Sequence, residues 1–322
     1  MIRLLGMGNA LTDVHMSISS EELLAELGLP KGSMQLIDSE RFKKIIDRTA
    51  VLPKSISCGG SAANTITGAA KLGVPSAFIG KINENDATGS LYQKDMESYQ
   101  VKALMLRDQE ASGQAIAFVT PDGERTFATY LGAAANLQTE ELQDDLFKGF
   151  DLFYIEGYLV YNQSLILSAV KMARENGLKV SLDLASYNVV EDNLAFLTDL
   201  IENYVDIVFA NEEEAKALTG LEPEAALDWL ASKVEIAVVK NGAKGALAKR
   251  GTEKVRVQAI KANCIDTTGA GDLFAAGFIY GLHLGRSLEE CTRYGTITAG
   301  KVIEVMGPKM SPETWNEILL NL

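Results

Sequence analysis

The spacing of apolar and polar positions changes period along the chain. Residues 1–8 begin with the apolar run Met1-Ile2-Arg3-Leu4-Leu5 and stop at Gly6-Met7-Gly8-Asn9, the pattern of a buried strand that ends in a turn. Between roughly 10 and 37, and again between 113 and 130, short segments alternate, as in Gln114-Ala115-Ile116-Ala117-Phe118-Val119. Turn residues such as Pro121-Asp122-Gly123 bound them, which predicts antiparallel strands outside the main layer. From about residue 55 the period switches between helix and strand. It predicts helix 60–72, strand 76–80, helix 86–98 and strand 101–106, then strand 151–155, helix 163–175 and strand 179–183. Helix 192–202, strand 205–209, helix 211–219 and strand 235–239 follow, and helices close the chain at about 271–284, 287–305 and 311–321. Such alternation implies an α/β fold: a doubly wound, mostly parallel sheet in three α/β/α layers. The segments 10–37 and 113–130 would form a small β lid. With no repeat and no linker-like stretch, residues 1–322 read as one domain.

Charge and composition narrow the function. The 322 residues carry 30 basic and 43 acidic side chains, net −13, which argues against a nucleic-acid or anionic membrane partner. ATP is not excluded, because a few amides and one cation can hold it. Cys58, Cys264 and Cys291 are far apart and lack metal-ligand spacing, so reduced thiols in a cytoplasm are expected. His15 and His283 are the only histidines, too few for a histidine-rich metal site. No signal peptide is apparent, and the longest apolar stretches, such as Leu273 to Leu282, fall far short of a membrane span. A cytoplasmic location follows as the expectation.

The densest chemistry lies in Asp266-Thr267-Thr268-Gly269-Ala270-Gly271-Asp272, just before an apolar-periodic run. The first amides of a helix lack intrahelical partners and carry partial positive charge. Glycines 269 and 271 let an anion approach those amides, and Asp272 stands at the rim as a proton acceptor. On its own, Gly-Ala-Gly-Asp is also an ordinary Asp-capped helix start. Gly59-Gly60-Ser61-Ala62-Ala63-Asn64 opens another helix, where tandem glycines make either a structural turn or a ligand approach. Asp13 lies past the end of the first strand, where ligands bind in open α/β sheets, and could accept two hydroxyls of a diol. Asn211-Glu212-Glu213-Glu214 is a good helix start in its own right, and Lys240 to Gly245 is a Gly-rich hairpin between two apolar strands. Two further patterns mislead. Gly6-x-Gly8 lacks the third glycine of a dinucleotide fingerprint, and Gly295 to Lys301 spells a P-loop inside a helical pattern with Val302 in the Ser/Thr place.

D-T-T-G-A-G-D resembles the C-terminal signature of the ribokinase-like (pfkB) carbohydrate kinases, which include fructokinases, ribokinases and adenosine kinases. The resemblance implies Asp272 as catalytic base, the Gly269, Ala270 and Gly271 amides as anion hole, and Thr268 beside the nucleotide. Gly59, Gly60 and Asn64 match the family's G-G-x-x-x-N, implying a lid hinge and sugar contact with Asn64 on substrate hydroxyls. Asp13 matches the G-N-x-x-x-D opening that binds sugar. Asn211 and Glu214 match N-x-x-E, implying Mg²⁺ and phosphate held largely through water. Gly242 would lie against ATP, although Lys240 stands where many relatives have a small hydroxyl residue. Gly80 to Gly89 is a looser match and carries no site residue. The family also implies a K⁺ site beside the signature loop. Arg125, with Leu131 to Asn136 and Gly307-Pro308, leans toward the adenosine-kinase-like branch, where such an Arg approaches phosphate or substrate; an exposed edge Arg is the plainer reading.

The expected activity is ATP-dependent phosphorylation of a primary alcohol on a sugar or nucleoside. Few cations (Lys31, Arg107, Arg125) are available for a substrate that is already phosphorylated, and Tyr158 and Tyr161 offer either a stacking face for a base or ordinary packing. Other classes fit in part: a catalytically silent regulator on the same fold, a phosphosugar kinase, or a nicotinamide oxidoreductase. Intact Asp272 speaks against the first and missing glycines against the last. The oligomeric state stays open, a homodimer included.

Overall fold

A computed structural model describes residues 1–122 and 124–322, which leaves Gly123 of the turn noted above outside the described residues. Strand β1 (Leu4–Met7) is wholly buried at the centre of the main sheet, as its unbroken apolar run requires of a strand covered on both faces. On one side it pairs in parallel with β5 (Ser76–Asn83), which pairs with β6 (Lys102–Asp108). On the other lie β9 (Leu152–Glu156), β10 (Lys179–Asp183), β11 (Ile207–Asn211) and β12 (Ile236–Lys240), all parallel. Two antiparallel strands, β13 (Ala246–Arg250) and β14 (Glu253–Val257), extend that edge. Among the described residues the sheet thus has nine strands, in the order β14-β13-β12-β11-β10-β9-β1-β5-β6.

Alternate residues of the buried strands feed two separate cores. Leu5, Phe153 and Val208 pack with Leu165 and Val170 of α5 (Gln163–Glu175) and Leu197 of α7 (Leu194–Tyr204). Leu4, Tyr154 and Phe209 pack on the opposite face with Ile66 of α3 (Ser61–Lys71) and Phe278 of α10 (Ala270–His283). That period of two is what places helices on both faces. After β1 the chain builds β5 and β6 on one side and then returns to build β9 to β12 on the other. The reversal opens a crevice at the carboxyl ends of β1 and β9, where ligands bind in such sheets.

The second sheet runs β3-β8-β7-β2-β4, from β2 (Leu11–Ser17), β3 (Met34–Leu36), β4 (Ser55–Gly59), β7 (Gly113–Val119) and β8 (Arg125–Tyr130). One face, through Val14, Met16, Ile116 and Phe118, buries against α1 (Glu22–Leu27) and α2 (Ser39–Arg48). The alternate positions Asp13 and His15 turn away from that core; a Cβ placed on Gly307 would lie 3.8 Å from His15 Nε2. This sheet departs from the expectation in two ways. It is mixed, with β2–β7 and β3–β8 parallel, because α1 and the chain through the main sheet intervene between those strands. It also recruits β4, whose residues read as the start of the main layer. Helices α1, α2, α6 (Tyr187–Asp192) and α9 (Pro223–Leu230) were not legible, being short or largely polar. Both misleading motifs resolve: Gly8 leads into strand β2, and Gly295 to Lys301 lies within α11 (Leu288–Val302).

Candidate active site

Helix α10 begins at Gly269, whose φ of 77° is left-handed and whose absent Cβ would meet Pro308 Cβ at 2.7 Å, so only glycine fits. Asp266 staples the loop before it. One oxygen accepts from Thr268 N (3.0 Å) and Thr268 Oγ1 (2.8 Å), and the other from Gly307 N (2.5 Å). Arg125, at the start of β8, lies 2.7 Å from the Asp266 carboxylate and donates to Thr268 Oγ1 at 2.8 Å. Burial alone would raise the Asp266 carboxyl, but the hydrogen bonds from Arg125, Thr268 and Gly307 together hold it at about 2. Ala270 N bonds back to Thr267 O, whereas the amides of Gly271 and Asp272 have no acceptor among the described residues. The loop is therefore pinned, and donors at the helix start, those of Gly271 and Asp272 among them, stay open.

Asp272 sits in the first turn of α10 and is held from α3. Ser61 Oγ donates to its Oδ1 at 2.7 Å, Asn64 Nδ2 to its Oδ2 at 3.0 Å, and Thr65 Oγ1 to its carbonyl at 3.1 Å. Ser61 and Asn64 are three apart and so share one helical face. Burial raises the Asp272 carboxyl to about 6, against the lowering effect of Asn64 and Ser61. Asn64 Oδ1 is buried with no donor among the described residues.

The Gly59-Gly60 pair joins β4 to α3. At Gly60 φ is 91°, and a Cβ there would meet Asn9 O at 2.4 Å. A Cβ on Gly59 would meet the Asp13 carboxylate at 2.2 Å, so Asp13 lies directly over the turn. Burial, eased by Lys309, raises the Asp13 carboxyl to about 7. No described residue donates to it. Beneath the turn is a residue that sequence reading missed. Glu156, the last residue of β9 and 1% exposed, accepts from Asn9 N (3.0 Å), Asn9 Nδ2 (2.8 Å) and Ala62 N (2.7 Å). It ties the end of β1 to the start of α3 at the point where the strand order reverses. A carboxylate closing an apolar strand was its only signal, and many strand ends carry one.

On the far side, Asn211 and Glu214 form a reciprocal cap on α8 (Glu212–Thr219). Asn211 Oδ1 accepts from Glu214 N, while the two Glu214 oxygens accept from Asn211 N and Nδ2, each bond at 2.8 Å. Burial raises the Glu214 carboxyl to about 7, with Lys240 opposing. Among the described residues no group of three or more His, Cys, Asp or Glu side chains could hold a metal ion. Lys240 ends β12 with its Nζ 2.9 Å from Asp183 Oδ2. Gly242 (φ 47°) follows in the hairpin, and Gly245 is obligatory because a Cβ would meet Val257 O at 2.0 Å. A cleft of about 740 Å³ runs from Ser61, Asp272, Gly271 and Lys240 to an apolar end at Ala259, Ile260, Ala299 and Ile303. Its volume suits a nucleotide-sized ligand.

The remaining candidates lie elsewhere. Lys31 pairs with Glu21 and Asp122, and Arg107 donates to Gln93, both at the exposed surface. Tyr158 packs against the core and Tyr161 is exposed. A further cation, Lys309, donates to Cys58 Sγ at 3.2 Å and covers the Tyr99 ring at 4.8 Å.

This geometry recurs in known proteins. A probable sugar kinase from Rhizobium etli CFN 42 superposes with a TM-score of 0.88 at 34% identity, over 99% of this chain and 98% of its own. The adenosine kinase from Sinorhizobium meliloti gives 0.87 at 35% identity, over 100% and 99%. A 5-dehydro-2-deoxygluconokinase from Listeria monocytogenes is 29% identical over 299 residues, 88% of this chain and 91% of its own. Residues 43–315 match the model of the pfkB family carbohydrate kinases. With the nine-stranded sheet, the smaller second sheet and the Asp-bearing glycine loop between them, the chain is a kinase and belongs to the pfkB carbohydrate kinase family.

Proposed function

We propose that the protein transfers the terminal phosphoryl group of ATP to a primary hydroxyl of an unphosphorylated sugar or nucleoside, with a nucleoside favoured. One observation carries this reading: Asp272 is fixed by Ser61 and Asn64 beside two open amides, at the cleft mouth overlooked by Asp13. Asp13 accepts substrate hydroxyls, and a hydroxyl donor also satisfies Asn64 Oδ1. Closure of the small sheet over Gly59 and Gly60, with Arg125 on Asp266, excludes water. Asp272 then takes the hydroxyl proton as the oxygen–phosphorus bond forms, and the Gly271 and Asp272 amides meet the charge on the phosphoryl oxygens.

ATP fits the cleft in two respects: its glycines stand where side chains would fill the phosphate path, and its far end is apolar. For Mg²⁺ the fit is indirect. Glu214 and Asn211 spend their polar atoms on each other, so they would hold the ion through water, with the phosphates supplying direct ligands and the ion offsetting phosphate charge. Substrate class follows from charge. Lys31 and Arg107 are engaged at the surface, and Arg125 is engaged by Asp266. None of these three is free for a second dianion, and Lys309, which acts on Asp13 and donates to Cys58 Sγ, is already committed to the hydroxyl-binding wall. The 35% identity to an adenosine kinase leans the choice toward nucleosides.

A coupled ADP-release screen over ribose, fructose, fructose 1-phosphate, fructose 6-phosphate, adenosine, guanosine and inosine tests this. The expected order of kcat/KM is nucleoside, free sugar, sugar phosphate. A fructose phosphate ahead of ribose, fructose and adenosine would overturn it.

A further inference from the structure

Lys240 is the residue that the family motif does not account for. The sequence puts an ammonium at the carboxyl end of the apolar strand Ile236-Ala237-Val238-Val239, and the fold draws it inward: its side chain is only 13% exposed. Burying an ammonium is costly, and an ion pair with Asp183 alone repays it poorly compared with two apolar side chains. Burial pulls the Lys240 pKa down, yet Asp183 and Glu214 outweigh it, so the group stays charged. Asp183 is itself presented by an unusual turn. Ala185, at φ 71°, holds the left-handed conformation that residues with a Cβ avoid, and its amide donates to Asp183 Oδ1 at 3.2 Å.

An ammonium has three donors, and Asp183 takes one. The others meet no acceptor among the described residues. They face the cleft at a particular place. A Cβ on Gly271 would stand 3.1 Å from Lys240 Nζ, so the missing side chain leaves a gap between the ammonium and the first turn of α10. The amides of Gly271 and Asp272, in that same first turn, have no acceptor among the described residues. Two kinds of donor, an ammonium and backbone amides, meet at this turn, and with Glu214 sealed in its helix cap no direct metal set competes for the position among the described residues.

We propose that Lys240 is a phosphate-binding cation of the transfer site, parked on Asp183 and positioned to contact the phosphoryl group received by the Gly271 and Asp272 amides. Asp183 acts through Lys240 and is a positioning residue. The proposal rests on the phosphotransfer reading above but predicts a binding property of its own. Because the gap adjoins Asp272, Lys240 serves the terminal phosphate rather than the two that remain on ADP.

The test is calorimetric titration of the full-length protein with β,γ-imido-ATP and with ADP, both with Mg²⁺. Lys240→Met should weaken the imido-triphosphate by about 10-fold or more, the loss of one charge-assisted hydrogen bond, and ADP by no more than about 3-fold. Lys240→Arg should restore most of the difference. Since Lys240→Met strands the Asp183 carboxylate and could unfold the chain, the double variant Lys240→Met/Asp183→Asn carries the same test without a stranded charge. In the folded Lys240→Met protein the acid limb of kcat/KM should also move to higher pH, because Lys240 opposes the rise of the Asp272 carboxyl. A double variant that binds both nucleotides like the wild type, or loses both equally, overturns the proposal. A wild type that binds the imido-triphosphate but turns over no sugar or nucleoside would sink the substrate reading and leave the binding comparison intact.

Discussion

Two helix N-termini meet at the crevice, and they are built alike and used differently. Both α3 and α10 are capped by a glycine at positive φ, Gly60 at 91° and Gly269 at 77°, and neither has a side-chain cap. At α3 one amide and two side chains are spent inside the protein. Ala62 N goes to Glu156, while Ser61 and Asn64 go to Asp272. At α10 the amides of Gly271 and Asp272 are left without acceptors among the described residues. Each helix start thus ties down one first-turn amide, Ala62 or Ala270, and leaves two without acceptors among the described residues, so the difference lies in the side chains that α3 sends to Asp272. The first positions the carboxylate, and the second waits for the charge.

The sharpest break of that contrast is Asp272→Asn, which keeps the hydrogen-bonding shape and removes the base. Its kcat should fall by at least about 10²-fold while ATP binding stays near normal, because the open amides are untouched. Steady-state kinetics beside nucleotide titration would show this, and near-normal kcat at saturating substrate would contradict it. Asp13→Ala tests the opposite wall. Its substrate KM should rise about 10-fold or more, the loss of charge-assisted hydrogen bonds, with KM for ATP within a few-fold. The reverse pattern would put Asp13 on the nucleotide side.

Asn64→Ala loosens the hold of α3 on Asp272. It removes one of the two side-chain hydrogen bonds on Asp272, so kcat should drop by about 10-fold. The pH profile should respond as well. The base must be ionised to work, and its carboxyl lies at about 6, so wild-type kcat/KM should fall as pH drops through that value. Asn64 lowers that carboxyl, hence the variant's acid limb should shift upward, and an unmoved limb would mean that Asn64 does not act through Asp272. Glu156→Gln is expected to be the mildest in turnover. It keeps one acceptor, for Asn9, and turns an NH₂ toward the Ala62 amide, costing about 2 kcal/mol of stability, read as a lower Tm with kcat changed by less than about 3-fold.

The α10 terminus was legible in the sequence and much of the α3 terminus was not. Glycines at 269 and 271 before an acidic residue and an apolar run announce an open helix start from local spacing alone. Apart from the short α6 and α9, the helices and parallel strands from 60 onward were likewise legible, because a buried strand and an amphipathic helix each leave a periodic trace. Glu156, Asp183 and Ser61 act through partners 94, 57 and 211 positions away, and nothing within a window of a few residues records such pairings. Asn64 and Arg125 show the same limit. Each was read toward substrate, and nothing local records that the Asn64 amide also holds Asp272 or that the Arg125 guanidinium also bonds Asp266 and Thr268. Asn211 and Glu214 form the helix cap that their spacing announced, made of the very atoms a direct metal contact would need.

The contrast between the two termini is tested most directly by amide ¹H–¹⁵N chemical shifts during titration with β,γ-imido-ATP. The Gly271 and Asp272 amides should move strongly downfield as they gain phosphate acceptors, while Ala62, already bonded to Glu156, should hold its position. Unmoved Gly271 and Asp272 resonances at saturation, or an equal shift at Ala62, would contradict the account.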